Sequence, residues 1–222
     1  MKLAVVIGHN ARAQGAYSEA LGLSEFEFNR DLFAHMARAA PGLGVTVREF
    51  LREDLGAYSR EIDAVYDRVD AWGPDAILEL HFNAGGGRGS EMLHAASSNR
   101  GRDLADDIQA QMVALRFADR GAKGRVGADR GGRSLHASRA VTVLAEPFFG
   151  DRESDCELVE AVGSQALAQA YLVGAAAWFR KERPDSLITP PAQEPPVIAP
   201  ADMLSRAEAL RQIQSILQRV MP

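Results

Sequence analysis

Short aliphatic runs alternate along this chain with longer stretches in which apolar positions recur every three or four residues. The short runs, at 2–8, 44–50, 75–82, 90–95 and 141–146, predict strands, and the periodic stretches at 25–40, 57–71, 100–117 and 155–181 predict helices. That alternation predicts an α/β fold, with a mostly parallel mixed sheet flanked by helices in one three-layer domain over residues 1–182. The first helix has a defined start. Ser24 followed by Glu27 is a capping-box pattern that satisfies backbone donors left open at a helix N-terminus, and it sets Glu25 in the first turn.

The periodicity lapses twice. Residues 118–139 are rich in Gly and Arg and are expected to form a long loop able to wall a groove, with His136 facing solvent or, alternatively, the substrate. At 183–202 the prolines concentrate (Pro184, Pro190, Pro191, Pro195, Pro196, Pro200), which predicts a semi-rigid linker. Residues 203–222 return to helical period, with Leu204, Leu210, Ile213 and Leu217 on one stripe. Such an amphipathic helix must bury its stripe on its own domain, on another copy or on a partner protein.

Composition narrows the classes. At 222 residues, 46% hydrophobic and 25% charged, the chain is long enough for one sizeable core. A net charge of -5 gives no footprint for phosphate backbones, so nucleic acid is not an expected partner. One cysteine, Cys156, excludes an internal disulfide and is expected as a small apolar residue on a helix. No apolar run reaches the roughly 20 residues that cross a bilayer. The first run leads into His9 rather than a cleavage site, so it reads as a strand rather than a signal peptide.

Candidate chemistry sits at the ends of the predicted strands. His9 and His81 both stand where an aliphatic run gives way to small and polar residues, at the edge where α/β sheets collect ligands. His35 and His94 have ordinary settings within a helix and a strand. Two imidazoles and a carboxylate form a familiar set for one zinc ion. Glu25 supplies the carboxylate from the first helical turn; Glu79 is the rival, two residues before His81 on one strand face, and Glu19 and Glu27 compete less well. Glu146 ends a buried apolar strand, where an acid is costly to desolvate and so suggests a chemical role, or else a pairing with Arg133 or Arg139.

Four blocks occur in order: Gly8 and His9 followed by Gly15 and Ala16; Glu25 and Asn29; His81, Phe82, Asn83 and Ala84; and Val143 to Glu146 followed by Phe149. Together they resemble the zinc-dependent N-acetylmuramoyl-L-alanine amidases of the type-3 catalytic class over nearly all of residues 2–180. The resemblance implies one zinc ion held by His9, Glu25 and His81, with Glu146 as the catalytic carboxylate. It implies peptidoglycan as partner, hydrolysis of the amide between N-acetylmuramic acid and L-alanine, and endolysin-like action on the cell wall; the lack of a recognisable export signal suggests release by another device. The chain departs from the family pattern at Val6, where an acid is usual, at Asn10 and Ala11, where a Gly pair is usual, and at Gly150 to Arg152, where an Asn is expected. A wall-binding or phage-particle protein that keeps the fold without turnover, and a zinc peptidase or deacylase on another amide, are the competing expectations. The cations Arg120, Lys123, Arg125, Arg130 and Arg133 are expected to be a solvated run, although peptide-stem carboxylates would suit them.

Overall fold

The computed structural model describes residues 1–183. Strand β1 (Lys2–Ile7) leads to a small hairpin, β2 (Tyr17–Ser18) and β3 (Leu23–Ser24), and then to helix α1 (Glu25–Ala39). There follow β4 (Thr46–Leu51), α2 (Tyr58–Trp72), β5 (Ala76–Leu80), β6 (Ser90–Ala95), α3 (Asn99–Ala114), β7 (Asp119–Arg125), α4 (Gly132–Leu135), β8 (Val141–Glu146) and α5 (Glu153–Glu182). The capping box forms at Ser24: its side chain accepts from the Glu27 N–H while its own N–H donates to Glu27 Oε2 at 3.0 Å. Helix α5 is interrupted at Gly163, whose φ of 77° lies outside the helical region.

The six strands of the main sheet run in the order β4-β1-β5-β8-β6-β7. Strands β4, β1, β5 and β8 are parallel, β6 is antiparallel to β8, and β7 follows β6 in parallel. The central strands are buried on both faces, which is why they read in sequence as unbroken apolar runs. Leu3, Val5 and Ile7 with Leu78 and Leu80 face the core shared with α1, α3 and α5. Ala4, Val6 and Ile77 face Ile62, Val65 and Tyr66 of α2. The expected α/β three-layer arrangement is therefore present, and it sets the carboxyl ends of β1, β5 and β8 side by side.

Within the expected loop at 118–139 the structure forms an edge strand, β7, and a single helical turn, α4, while residues 127–131 between them remain irregular and line the cleft. An edge strand with both faces partly in solvent needs no apolar alternation, and β7 carries none. Helix α4 instead closes a small cluster of Leu135 with Leu93, Ala95 and Leu144. The hairpin of β2 and β3 is also new, being too short to show a period. The expected strand start at 44 moves to Thr46 because Gly44 takes a left-handed φ of 68° to end the turn over Ala40–Leu43. Among the described residues no helix is long and apolar enough to cross a membrane. Beyond Arg183, the proline-rich segment and the terminal helix expected from the sequence lie outside the described residues.

Candidate active site

His9 follows β1 on a tight turn and takes a φ of 65°, a conformation costly for a residue with a side chain and tolerated where surroundings impose it. The departure at Asn10 is built into that turn. Its buried side-chain oxygen accepts from the N–H groups of Arg12 at 3.0 Å and Ala13 at 2.7 Å, and its amide donates to Glu61 at 3.1 Å. Glu61 in turn accepts from Arg52 at 2.8 Å, so α2 anchors the His9 turn.

His81 follows β5 and Glu25 opens α1, and the three side chains meet. Glu25 Oε1 lies 2.6 Å from His81 Nδ1 and Glu25 Oε2 lies 3.2 Å from His9 Nε2. One donor atom from each residue falls within 4.8 Å of the other two. The close approach requires glycines. A Cβ on Gly8 would sit 2.5 Å from His81 Cε1, and one on Gly15 would sit 2.6 Å from both Glu25 Oε2 and His9 Cδ2.

Electrostatics supports the same set. Burial pushes the Glu25 carboxyl up, but hydrogen bonds and charge from His81 and His9 outweigh it and hold the group well below the usual carboxylate range. Burial works against a charged His81, yet Glu25 and Glu79 raise its pKa well above the ordinary histidine value. Glu79 Oε1 lies 3.1 Å from His81 Nε2, and Glu79 Oε2 accepts from the Tyr66 hydroxyl at 2.8 Å. The sequence offers Glu79 as a rival ligand; in the fold it is a fully enclosed partner behind the His81 ring and stands outside the three-residue cluster. An acid that holds Nε2 turns Nδ1 toward Glu25 and His9, where a metal ion would take the place of the proton that Nδ1 shares with Glu25. The two imidazoles, one ionised carboxylate and one orienting acid thus fit a zinc ion in both donor chemistry and spacing.

Glu146 ends β8 in the neighbouring position. The register sets Glu91 opposite Glu146, Leu93 opposite Leu144, and Glu79 beside Leu144. His81, Glu146 and Glu91 therefore form a row at the strand ends, with Glu79, Leu144 and Leu93 one row below on the same face. Glu146 Oε2 is buried without a hydrogen-bond partner among the described residues. Burial, with Glu25 and Glu91 adding repulsion, pushes its pKa up to about 7, against the opposing pull of His81 and Arg130. The alternative pairing of Glu146 does not occur: Arg133 donates to both oxygens of Asp63 at 2.6 Å, and Arg139 lines a separate cavity near Trp178.

The remaining candidates lie elsewhere. Asn29 is buried in α1 with neither side-chain polar atom bonded among the described residues. His136 is exposed and meets the Arg125 carbonyl at 3.1 Å, His94 is buried against the Ala95 carbonyl, and His35 is 3.7 Å from Asp31. Cys156 is buried beside Ser18. Sequence reasoning missed the bracing of the His9 turn, in which Asn10 within the turn bonds Glu61 of α2 and Glu61 is paired with Arg52 after β4.

The sequence profile of the N-acetylmuramoyl-L-alanine amidase family matches residues 3–177. Among solved structures, the chain is similar to the catalytic domain of the CD27L endolysin targeting Clostridia difficile, at 26% identity and a TM-score of 0.70, over 80% of this chain and 97% of that one. It shares its fold with the Ami1 amidase of Mycobacterium smegmatis, at 20% identity and a TM-score of 0.67, over 82% of this chain and 97% of that one. It also shares it with the CwlD amidase of Clostridioides difficile in complex with the GerS lipoprotein, at 16% identity and a TM-score of 0.68, over 81% and 98%. No curated protein sequence matches the chain closely enough to add to these.

Proposed function

The chain belongs to the N-acetylmuramoyl-L-alanine amidase family, and on that premise we propose that it is a zinc-dependent hydrolase of the amide joining N-acetylmuramic acid to L-alanine in peptidoglycan. The observation that carries this reading is the carboxyl of half-buried Glu146, whose Oε2 has no hydrogen-bond partner among the described residues, near a cluster of His9, Glu25 and His81 that can hold one divalent ion. His9, Glu25 and His81 would hold the zinc, with Glu79 and Tyr66 fixing the orientation of the His81 ring. When bound, zinc supplies Lewis acidity to the reacting water and to the scissile carbonyl.

The proton is the task of Glu146. As a carboxylate it takes a proton from the attacking water, and as the acid it returns that proton to the nitrogen of the departing L-alanine. In the metal-free protein burial raises this carboxyl to about 7, and a cation at the neighbouring cluster would draw it back toward the carboxylate that accepts the first proton. Leu93 and Leu144 give the cleft an apolar floor that limits competing water. Action on the bacterial cell wall follows from this substrate, and the 26% identical endolysin domain supports an endolysin-like role.

Purified cell walls incubated with the zinc-loaded protein should release L-alanine amino termini, and a chelator should stop the release. Walls left intact in the presence of added zinc would overturn the reading.

A further inference from the structure

The cleft at the strand ends, about 620 Å³, extends well past the proposed metal ligands. Beyond the row of acids it passes over Leu144 and Leu93 to a wall made by the segment after β7. That wall lies close against the floor: a Cβ on Gly131 would be 3.2 Å from Leu144 Cδ1. The backbone where the wall begins is fixed, because the Arg125 carbonyl accepts from the Ala96 N–H at 2.9 Å and faces His136 Nε2 at 3.1 Å.

Five arginines line the cleft, and three of them are committed. Arg52 is held by Glu61 at 2.8 Å, Arg120 by Glu91 at 2.6 Å, and Arg133 by Asp63 at 2.6 Å. Arg125 and Arg130 have no acid within ion-pair distance among the described residues. Asp129, their neighbour, does not fill that place: its Oδ2 is occupied as acceptor for the Val126 N–H at 2.8 Å. Arg130 is close enough to the reactive end for its charge to act on Glu146.

We propose that Arg125 and Arg130 form a subsite that reads a free carboxylate on the peptide stem of the substrate. The inference rests on the amidase reading. On the sugar side of the scissile amide the substrate is uncharged; on the peptide side, carboxylates begin at the residue after L-alanine. A substrate with its amide at His9, Glu25 and His81 and its stem laid over Leu144 and Leu93 brings those carboxylates toward the arginine wall. Guanidinium groups without a competing acid can exchange water for a bidentate carboxylate, in a geometry lysine does not reproduce. Replacing that carboxylate by a primary amide removes the charge and turns one of its two acceptor oxygens into an N–H donor, which breaks the bidentate match to a donor-only side chain.

The test gives the zinc-loaded full-length protein two muramyl peptides that differ only at the second stem residue, D-glutamate with a free α-carboxylate or its D-isoglutamine amide. The wild type should favour the free carboxylate by roughly 10- to 100-fold in kcat/KM, the range expected of a charge-assisted hydrogen bond. In the double variant Arg125→Gln with Arg130→Gln that ratio should fall to about 1, mainly through KM. Equal kcat/KM for the two substrates in the wild type, or a preference that survives in the double variant, overturns the subsite and leaves the amidase reading standing. Calorimetric binding of free L-alanyl-D-glutamate and its amide covers a protein that turns over neither substrate. Carboxylate-selective binding lost in the double variant then supports the subsite while the amidase reading fails, and binding that is equal or absent overturns both.

Discussion

At the β1 and β5 end of the strand edge, Glu25 is enclosed by His9 and His81 and also accepts the Ala16 N–H at 3.2 Å and the Phe82 N–H at 3.3 Å. A few ångströms along the same edge, at the end of β8, Glu146 is also withdrawn from water but has a carboxyl oxygen with no donor among the described residues. Burial pushes both pKa values up, yet Glu25 ends far below the usual range and Glu146 at about 7. Burial alone therefore does not decide the protonation of an acid; the number and charge of its partners do. On the proposed reading, one end would stay ionised to bind a cation and the other would exchange a proton.

The comparison breaks most visibly at Glu146. Glu146→Gln keeps shape but cannot carry the proton, so kcat should fall by about 10²- to 10⁴-fold, with zinc content by metal analysis still one per chain. A loss of zinc in parallel with activity would mean the two ends are not separate. The same variant tests the pH behaviour of the metal-free protein. Because the folded pKa of Glu146 is raised from the usual 4.5 to about 7, its contribution to stability is complete below about 4.5 and is lost as pH rises through about 7. Between pH 4.5 and 8 the chelated wild type should lose up to roughly 3 kcal/mol relative to Glu146→Gln in urea unfolding. A constant difference across that range would remove the assignment.

At the other end, the predicted weakness lies behind the ligands. Glu79→Gln leaves His81 in place but loosens its orientation, and zinc affinity should drop by about 10- to 100-fold in competition with a chelating dye. The smallest expected effect is at the start of α1. Ser24→Ala removes the cap that seats Glu25 and should cost about 1 kcal/mol in thermal unfolding while one zinc per chain is retained.

These two ends were not equally legible in the sequence. His9 and His81 stand out because an apolar run stops at each, and Glu25 because the Ser24 and Glu27 box fixes the helix start. Glu146 is marked by its cost, an acid closing an aliphatic strand. Glu79 is harder: its spacing from His81 permits either ligation or support, and the choice depends on Tyr66, whose position comes from α2 packing on the sheet. The bracing of the His9 turn by Asn10, Glu61 and Arg52 also joins segments about 40 to 50 residues apart in ordinary polar contexts. Strand β7 left no periodic trace because its faces are not buried, so the wall of the cleft was the least readable part of the domain.

That same strand bears on how the protein behaves when concentrated. Among the described residues β7 is, with β4, one of the two outer strands of the sheet, and an outer strand is the usual route to intermolecular β-stacking. Its residues, Asp119, Arg120, Gly121, Lys123, Gly124 and Arg125 around a single alanine, give an incoming strand repulsive charge and almost nothing apolar to grip. At this edge the charge works against stacking, and substituting valines along β7 is the change expected to bring on fibrous or amorphous precipitation.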